Sequence, residues 1–420
     1  MTNWTKATLS DLGTVERGRS RHRPRNDPLL YGGSMPFFQT GDVKAAQLHL
    51  TEFSQTYSEA GVAQSRVWEP GITCITIAAN IADTAVLGRR GCFPDSVLGF
   101  VPNIPSDAYF VKYLLDSNRE RLTSAARGTT QDNLSLEKLL LQKFLIPNPL
   151  VRQQIAMVLR SIDDLIENNR RRVALLEQMA RAIYKEWFVH YRYPGHESAT
   201  FVDSELGPIP QDWRIGTVTE LCSRIQAGGT PRRSIGDYWE SPDIDWYKTG
   251  DLTDSVLIRS SEKISHMALT ASAARSFEPD TILMAIYGSP TVGRLGLLRV
   301  RSSANQAALG LVANQTATTT ETLWNILESQ RNYWNQIAQG AAQQNISKVK
   351  VATTVVVIPP LSLAANYTKL AGPPWRLSHR LLEQSHALTQ LRDLLLPKLV
   401  TGQIDVSSLD LDSLVEEAAV

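Results

Sequence analysis

Five arginines lie within nine residues near the start of the chain, in the segment RGRSRHRPR at 17–25, and no carboxylate interrupts them. An arginine can donate two parallel hydrogen bonds to guanine, and it also binds phosphate. The composition therefore indicates contact with a nucleic acid, with a disordered basic arm as the alternative interpretation. The arginines are Arg17, Arg19, Arg21, Arg23 and Arg25.

Further polar, basic and aromatic residues occur in segments that the sequence predicts as loops. Asn and Gln match the hydrogen-bonding edge of adenine, as Arg matches guanine. For any one of these residues a solvated surface position is the better explanation, so the prediction depends on their clustering. The candidates are Thr40, Arg89, Arg90, Arg127, Gln131, Thr230, Arg232, Arg233, Lys248, Thr249, Tyr287, Arg294, Gln343, Gln344 and Lys348.

The patterns expected of an enzyme are missing. The sequence has no GxxxxGK[ST] phosphate loop, and its histidines and cysteines lack zinc-ligand spacing. PDIDWYK at 242–248 resembles a nuclease carboxylate–lysine cluster, but Lys248 takes the place of Gln39 in a repeat described below, which favours a structural or DNA-facing loop. Neither IPNPL nor IPPL has the pattern that methyltransferases use to grip a flipped adenine. We predict no catalytic and no metal-binding residues.

Composition and charge narrow the class of protein. With 420 residues, 43% of them hydrophobic and 20% charged, the chain is typical of a globular protein of two or three domains. It has no apolar run long enough to cross a bilayer, and its three cysteines are scattered. We therefore expect a cytoplasmic protein with no membrane partner. The net charge of +1 conceals the basic segment, because an acidic tail follows Lys398.

The sequence repeats itself at a nearly constant offset. Two landmarks return 212 residues later and two return 209 residues later, which indicates tandem duplication of a large unit. The 212-residue pairs are RGTTQDNLS at 127–135 with QGAAQQNIS at 339–347, and LIP at 145–147 with VIP at 357–359. The 209-residue pairs are TGD at 40–42 with TGD at 249–251, and EP at 69–70 with EP at 278–279.

A long amphipathic helix is predicted over 151–189, because apolar residues recur at helical spacing, with Val158, Leu165 and Met179 between the main positions. Asn169 would set the register if it lies in the apolar seam, and a solvated turn is the alternative. The 212-residue offset predicts an equivalent second helix, broken or kinked by AGPP at 371–374. The predicted seam residues are Ile155, Ile162, Asn169, Leu176, Ile183, Leu377, Leu381, Leu388, Leu391 and Leu395.

Short strands and helices are predicted ahead of each long helix. β-branched runs lie in 67–78, 277–287 and 354–360, and short helices over 108–124 and 321–338. The fold class is therefore α+β, with two mixed α/β units in tandem repeat. The expected boundaries are 1–150 and 214–360 for these units, 151–192 and 361–402 for the long helices, 193–213 for a linker and 403–420 for an acidic tail.

Taken together, these features resemble the specificity subunit of type I restriction-modification enzymes. The resemblance covers about 1–405 and is carried by the duplication, TGD, GTTQDNLS and GAAQQNIS, by LIENNRRRVALLEQMARAIYKEWFV and by LRDLLLPKLVTGQI. Each mixed unit would then be a target-recognition domain, and the two domains would form a pseudo-twofold tandem repeat. The long helices would be antiparallel, coiled-coil-like spacers between them. Two departures are AGPP and the loss of both threonines in GAAQ.

The resemblance implies a function as well as a fold. The chain would be a non-catalytic subunit that binds a bipartite, asymmetric double-stranded DNA target. It would scaffold two adenine-methyltransferase (modification) subunits and restriction or translocase subunits. S-adenosylmethionine and ATP with Mg²⁺ would bind to those partners, and no cofactor to this chain. A self-sufficient nuclease or methyltransferase is the alternative, and a coiled-coil scaffold without DNA a third hypothesis.

The duplication also makes a prediction about fragments. If each unit is one recognition domain with one long helix, a fragment ending near Tyr193 should hold a complete unit. Its exposed apolar stripe should then pair with a second copy about a twofold axis.

Overall fold

The chain folds into two compact units that interleave in sequence. Unit 1 comprises Met1–Asn168 and Ala387–Val420, and unit 2 comprises Asn169–His386. The computed structural model describes residues 4–126, 134–240, 242–288, 291–338 and 345–407. Unit 1 is therefore built from both ends of the chain.

The strands of unit 1 form a five-stranded sheet in the order β2-β10-β7-β8-β4, a four-stranded sheet in the order β5-β3-β9-β6 and the pair β1-β11. The strands are β1 Thr5–Ala7, β2 Gly13–Arg17, β3 Tyr31–Phe37, β4 His49–Leu50, β5 Gln55–Tyr57, β6 Val67–Trp68, β7 Thr73–Thr76, β8 Thr84–Leu87, β9 Gly91–Cys92, β10 Val97–Pro102 and β11 Phe144–Ile146. The helices are α1 Thr40–Ala45, α2 Glu59–Ala63, α3 Asp107–Ser117, α4 Arg119–Ala126, α5 Leu136–Leu140 and α6 Pro149–Tyr184, which continues as a π-helical turn over Lys185–Val189.

Unit 2 has the same sheet topology, with orders β15-β23-β20-β21-β17 and β18-β16-β22-β19 and the pairs β14-β24 and β12-β13. The strands are β12 Phe201–Val202, β13 Ile209–Pro210, β14 Arg214–Thr217, β15 Cys222–Ala227, β16 Ile244–Tyr247, β17 Ser255–Leu257, β18 Glu262–Ile264, β19 Ser276–Phe277, β20 Ile282–Ala285, β21 Leu295–Leu298, β22 Ser302–Ala304, β23 Ala308–Ala313 and β24 Val355–Ile358. The helices are α7 His266–Ala271, α8 Thr320–Ser329, α9 Arg331–Ile337, α10 Lys348–Ala352 and α11 Leu361–Val400. The predicted duplication and the α+β class are confirmed.

The repeated landmarks hold equivalent turns in place. Leu134 and Ile346 are fully buried, and their backbone N–H groups donate to the carbonyl oxygens of Ile77 and Ile286 at 3.0 and 2.9 Å. The next residue in each unit is a serine whose hydroxyl accepts a backbone hydrogen bond and caps a short helix, α5 or α10. The part of the echo within the described residues is therefore structural.

The long helices close the hydrophobic cores of both units. In unit 1, Ile155 and Leu159 of α6 and Leu399 of α11 are at most 1% exposed and pack in one cluster with Phe100 and Phe110. Each such side chain stabilises the fold by about 1.5–3 kcal/mol when it leaves water. Since α11 belongs to the core of unit 1, a fragment ending near Tyr193 would lack part of that core.

In unit 2 the two helices run antiparallel. Asn169 Nδ2 donates to Gln384 Oε1 at 3.1 Å, and Tyr367 Oη donates to the Ala180 carbonyl oxygen at 3.2 Å. The residue later in α6 thus contacts the residue earlier in α11, as antiparallel helices require. Asn169 is 1% exposed. It therefore lies within the seam and not at a solvated turn.

The buried face of α6 follows the spacing i, i+4, i+7. Ile162, Leu176 and Ile183 are half-buried, whereas Leu165 and Met179 are 39% and 53% exposed. The buried residues on this face include Ile155, Leu159, Ile166, Asn169, Val173 and Ala180. The buried face therefore excludes the predicted i+3 positions, Leu165 and Met179. The reason is that each helix also packs against a mixed α/β unit.

The same rotation corrects the predicted seam of α11. Leu381 is 5% exposed, and Leu388 and Leu395 are half-buried, but Leu377 and Leu391 are 39% and 46% exposed. Placing Leu377 and Leu391 in the seam was wrong, because both occupy i+3 positions. The 212-residue offset pairs them with the exposed Leu165 and Met179 of α6.

The predicted break in the second helix is also wrong, whereas the alternative of a kink stays a prediction. α11 continues without interruption through Pro373 and Pro374. Two prolines inside a helix remove two backbone donors and cost about 3 kcal/mol each. Burial of Tyr367 and Ala371, both 1% exposed, and contact of the Trp375 ring with a buried histidine ring 4.5 Å away offset that cost.

Candidate nucleic-acid interface

The basic segment is a fixed loop, which we call the basic loop (residues 17–30), and it begins with Arg17, the last residue of β2. Backbone N–H groups of Gly18 and Arg19 donate to the carbonyl oxygens of Val97 and Phe93 at 2.9 and 3.0 Å. A Cβ atom at Gly18 would collide with the Pro94 carbonyl oxygen, so this approach requires glycine. The alternative of a disordered arm is therefore wrong.

A glutamine outside the predicted set of residues fixes the middle of the basic loop. Gln64 Oε1 accepts from the backbone N–H groups of Arg21 at 2.6 Å and of His22 at 3.0 Å. Ser65 Oγ donates to the Arg19 carbonyl oxygen at 2.7 Å. No local pattern around Gln64 could have found it, because its partners lie more than forty residues earlier in the chain. The backbone of the loop is thus held by its neighbours, while its arginine side chains are exposed.

The five predicted arginines divide into two groups. All five are exposed, and the side chains of Arg17, Arg19 and Arg21 make no hydrogen bond or ion pair with any described residue. Arg23 Nη1 donates to the carbonyl oxygens of Ser20 and His22, both at 2.8 Å. Arg25 Nη2 donates to both carboxylate oxygens of Asp95 at 3.0 and 2.9 Å. The first group is available to a ligand, and the second maintains the loop.

A second basic pair lies after β8. Arg90 Nε is 2.9 Å from Glu69 Oε1, and the Arg89 guanidinium lies 5.0 Å from the centre of the Phe53 ring. Both arginines are exposed. An exposed ion pair contributes little to stability, so these guanidinium groups can exchange a protein partner for a phosphate.

The loop after β15 in unit 2 is anchored as the basic loop is. Backbone N–H groups of Gly228 and Gly229 donate to the carbonyl oxygens of Ala308 and Ala304 at 3.0 and 2.9 Å. Gly229 therefore occupies the place of Arg19 in unit 1, and Pro231 that of Arg21. Equivalent backbones in the two units thus present different side chains.

Two of the basic candidates in unit 2 share one carboxylate. Glu262 forms ion pairs with Arg233 and with Lys248, whose Nζ lies 2.7 Å from Glu262 Oε1. The hydrogen bonds from Arg233 and Lys248 lower the pKa of Glu262. The Arg233 guanidinium also lies 3.8 Å from the centre of the Trp239 ring. Arg232, which is exposed, makes no side-chain hydrogen bond or ion pair with the described residues.

The TGD landmarks begin short helical turns. Asp42 Oδ2 accepts from the Gln39 backbone N–H at 2.7 Å, and Asp251 Oδ2 accepts from the Lys248 backbone N–H at 2.8 Å. Thr40 and Thr249 follow these caps and are half-buried. Capping explains why the motif recurs, because each aspartate satisfies a backbone donor that the turn leaves open.

The remaining candidates are spread over unit 2. Thr230 hydrogen-bonds to Gln306. Tyr287 is 37% exposed and pairs with Asn345 through an isolated bridge. Arg294 is half-buried, and Lys348 is exposed at the start of α10. Four candidates lie outside the described residues: Arg127, Gln131, Gln343 and Gln344.

Metal ligation and membrane insertion have no structural support in the part of the chain that the structure describes. No group of three His, Cys, Asp or Glu side chains among the described residues is arranged to hold a metal ion. None of the helices in the same part of the chain is long and apolar enough to span a membrane.

Comparison with known proteins decides the family. The sequence matches the family model described as "Type I restriction modification DNA specificity domain" over residues 1–178 and 210–363. The chain belongs to this family. As a type I specificity subunit, it is a non-catalytic DNA-recognition protein, and the two matched segments correspond to the two copies of the internal repeat.

Relatives of this type I specificity subunit align along nearly the whole chain. The MjaIX specificity subunit of Methanocaldococcus jannaschii is 23% identical over 419 residues, which cover 97% of this chain and 95% of the relative. The HindI specificity subunit of Haemophilus influenzae is 20% identical over 476 residues, covering 96% and 100%. The crystal structure of a type I S subunit from M. genitalium has the same fold, with a TM-score of 0.66 at 16% identity over 95% of this chain and 96% of the other.

Proposed function

We propose that this chain reads a bipartite, asymmetric DNA target with its two mixed α/β units and scaffolds the modification and restriction subunits of a type I complex. The observation that carries the proposal is the pair of equivalently anchored loops after β2 and β15. They carry exposed arginines in unit 1, whereas in unit 2 Gly229 and Pro231 are buried and Arg232 is exposed. Different side chains on equivalent backbones contact different base edges, so each unit reads its own half-site.

The division of the arginines supports the basic loop as the DNA contact of unit 1. A cation that no carboxylate neutralises can bind phosphate without first giving up a partner, and Arg17, Arg19 and Arg21 are such cations among the described residues. The contacts at 18–20 and Gln64 hold the backbone still. Little conformational entropy is then lost on binding.

Exposed apolar residues on the long helices support the assignment of two modification subunits to each chain. Unit 1 exposes Leu165 of α6 and Leu391 of α11, and unit 2 exposes Met179 of α6 and Leu377 of α11. The 212-residue offset converts one pair into the other. Two equivalent sets of exposed apolar residues would accept two copies of one partner.

The proposal places the remaining chemistry on the partners. The modification subunits would bind S-adenosylmethionine, and the restriction subunits would bind ATP with Mg²⁺. We place the complex in the cytoplasm, where the host DNA lies.

Methylation mapping tests this function. The chain would be reconstituted with its modification subunit and S-adenosylmethionine, and methylated adenines in random DNA would be mapped by single-molecule sequencing. We expect one bipartite motif with two different half-sequences. The variant R17A/R19A/R21A should lower methylation at that motif more than R23A/R25A does. Methylation or cleavage by the chain alone would instead establish the self-sufficient enzyme, and absence of salt-sensitive DNA binding would favour a scaffold without DNA.

A further inference from the structure

Unit 1 contains a buried acidic residue between its helices. Asp163 of α6 is 1% exposed, and its two oxygens have different partners. Tyr113 Oη of α3 donates to Oδ2 at 2.7 Å, and Arg392 Nη1 of α11 donates to Oδ1 at 2.8 Å. We call Tyr113, Asp163 and Arg392 the polar lock.

The polar lock depends on all of its members. Tyr113 is 1% exposed and the Arg392 side chain 21% exposed, so water cannot readily replace either partner. A buried carboxylate that loses its cation is strongly destabilising, whereas replacement of both charges by apolar groups is often neutral. The polar lock therefore adds little to the net stability of the fold, and its main effect is on which helix can pack against α6.

The repeat carries no equivalent of the polar lock. The 212-residue offset places Asn325, Trp375 and Ala180 at the positions of Tyr113, Asp163 and Arg392. In unit 2, Asn325 Nδ2 donates to Tyr367 Oη at 3.0 Å, and Tyr367 Oη donates to the Ala180 carbonyl oxygen. This network holds no charge.

Pairing of α6 with a second α6 would therefore bury a carboxylate without its cation. If α6 packed against α6 of a second copy, Asp163 would face Ala180 in place of Arg392. If α11 packed against a second α11, Arg392 would face Trp375 in place of Asp163 and would keep Asp393, at 2.8 Å, as its carboxylate partner. Each error occurs twice in a symmetric dimer.

We propose that the polar lock selects α11 of the same chain, and rejects α6 of a second copy, as the partner that covers α6. The self-pairing expected of an N-terminal fragment is disfavoured for the same reason. The buried faces differ at other positions as well, since the 212-residue offset places Ser378 and Ser385 of α11 at the positions of Ile166 and Val173 of α6. The double variant D163L/R392L separates the effect of the charges from that of this packing. One further consequence rests on the proposed function. Each complex would then contain one unit 1 and one unit 2, and it would read an asymmetric target.

The test uses the folded full chain. A specific protease site is inserted at Ser204–Glu205 in the linker, and the chain is cut after folding into an N-half and a C-half. Unlabelled and ¹⁵N-labelled samples are mixed in mild urea until labelled N-halves are found with unlabelled C-halves, and native mass spectrometry then counts the species. DNA is not used, so the result is independent of the proposed function.

For the wild type we expect complexes of one N-half with one C-half, with homotypic pairs below about a tenth of the total, since each pair of N-halves buries two carboxylates without a cation. In D163L/R392L both charges are gone, and homotypic pairs should approach the statistical share. D163R/R392D, which reverses the pair, should restore strict pairing. The control R160L/D164L removes an ion pair of the same helix whose side chains are 47% and 43% exposed, and it should leave strict pairing unchanged.

Two results would overturn the proposal. One is abundant homotypic pairs in the wild type under conditions where the label exchanges. The other is strict pairing in D163L/R392L, because the apolar contacts would then suffice to choose the partner.

Discussion

The arginines of the basic loop differ in whether their guanidinium groups already have a partner in the protein. This difference should appear in the salt dependence of DNA binding. R17A/R19A/R21A should weaken DNA binding and flatten the plot of log affinity against log salt by about 0.9 for each phosphate that the loop no longer neutralises. The matched variant R23A/R25A removes arginines already bound to carbonyl groups and to Asp95, so its slope should change less. Fluorescence anisotropy at several salt concentrations measures both. Equal changes of slope would show that the two groups contact DNA alike.

A buried histidine predicts how the stability of unit 2 depends on pH. His379 is 3% exposed, and burial, with Arg299 and Arg376 nearby, lowers its pKa to about 4. Between pH 6.5 and 4 the unfolded chain binds a proton that the folded ring does not. The stability due to neutral His379 is thus complete above pH 6.5 and falls by up to about 3 kcal/mol as the pH drops to 4.

Thermal unfolding of H379L and wild type over this pH range checks the prediction. The difference between their midpoints should shift steadily in favour of H379L as the pH falls. H266Q is the control, because the His266 side chain is 75% exposed. A constant difference between H379L and wild type would mean that the buried ring takes up protons as easily as an exposed one.

At the scale of elements, the seven-residue period of the buried face determines which insertions α6 and α11 accept. Ile155 and Asn169 lie fourteen residues apart and are both buried. Seven residues make two turns and return to nearly the same face, whereas four overshoot one turn by about 40°. Both helices must lengthen together, because Asn169 pairs with Gln384.

Seven helix-forming residues inserted after Asn168 and seven after His386 should therefore preserve folding. The insertion adds about 10.5 Å, and the DNA spacer between half-sites should grow by about three base pairs. Methylation mapping of the reconstituted complex gives the spacer directly. A four-residue insertion in α6 alone should destabilise the protein. Recovery of the original spacer with the paired insertions would refute the helices as a ruler.

At the scale of the whole molecule, the C-terminal half of α11 completes unit 1. Leu399, Val400 and Val406 are at most 3% exposed and belong to the core of that unit. Deletion of 387–420 should expose this core while the contacts within 169–386 persist. Hydrogen exchange followed by mass spectrometry should show loss of amide protection in β2, β7 and β10 and retention in β15, β20 and β23.

A single substitution in the same core should destabilise unit 1 less than the deletion does. L399A should destabilise unit 1 by about 2–5 kcal/mol, as large-to-small changes in a core do. L377A, at an exposed position of the same helix, is its control. Full protection of unit 1 after the deletion would mean that the N-terminal segment folds without α11.

The sequence by itself determined the duplication, the α+β class, the two long helices and the family. Landmarks at constant offset and the helical spacing of apolar residues are properties of the sequence itself. They do not depend on which elements the helices pack against. The serine caps before α5 and α10 belong to the same class.

The tertiary structure alone decided which residues have partners. Asp163 binds Arg392, 229 positions away in sequence, and Arg25 binds Asp95, 70 positions away. No local pattern could therefore show that the charges of Asp163 and Arg25 have partners. Packing against the mixed α/β units turned the seam away from Leu377, and burial of Tyr367 outweighed the prolines of α11. Spacing along the chain fixes which face a residue occupies on its own helix, but only the folded chain brings a second element to that face.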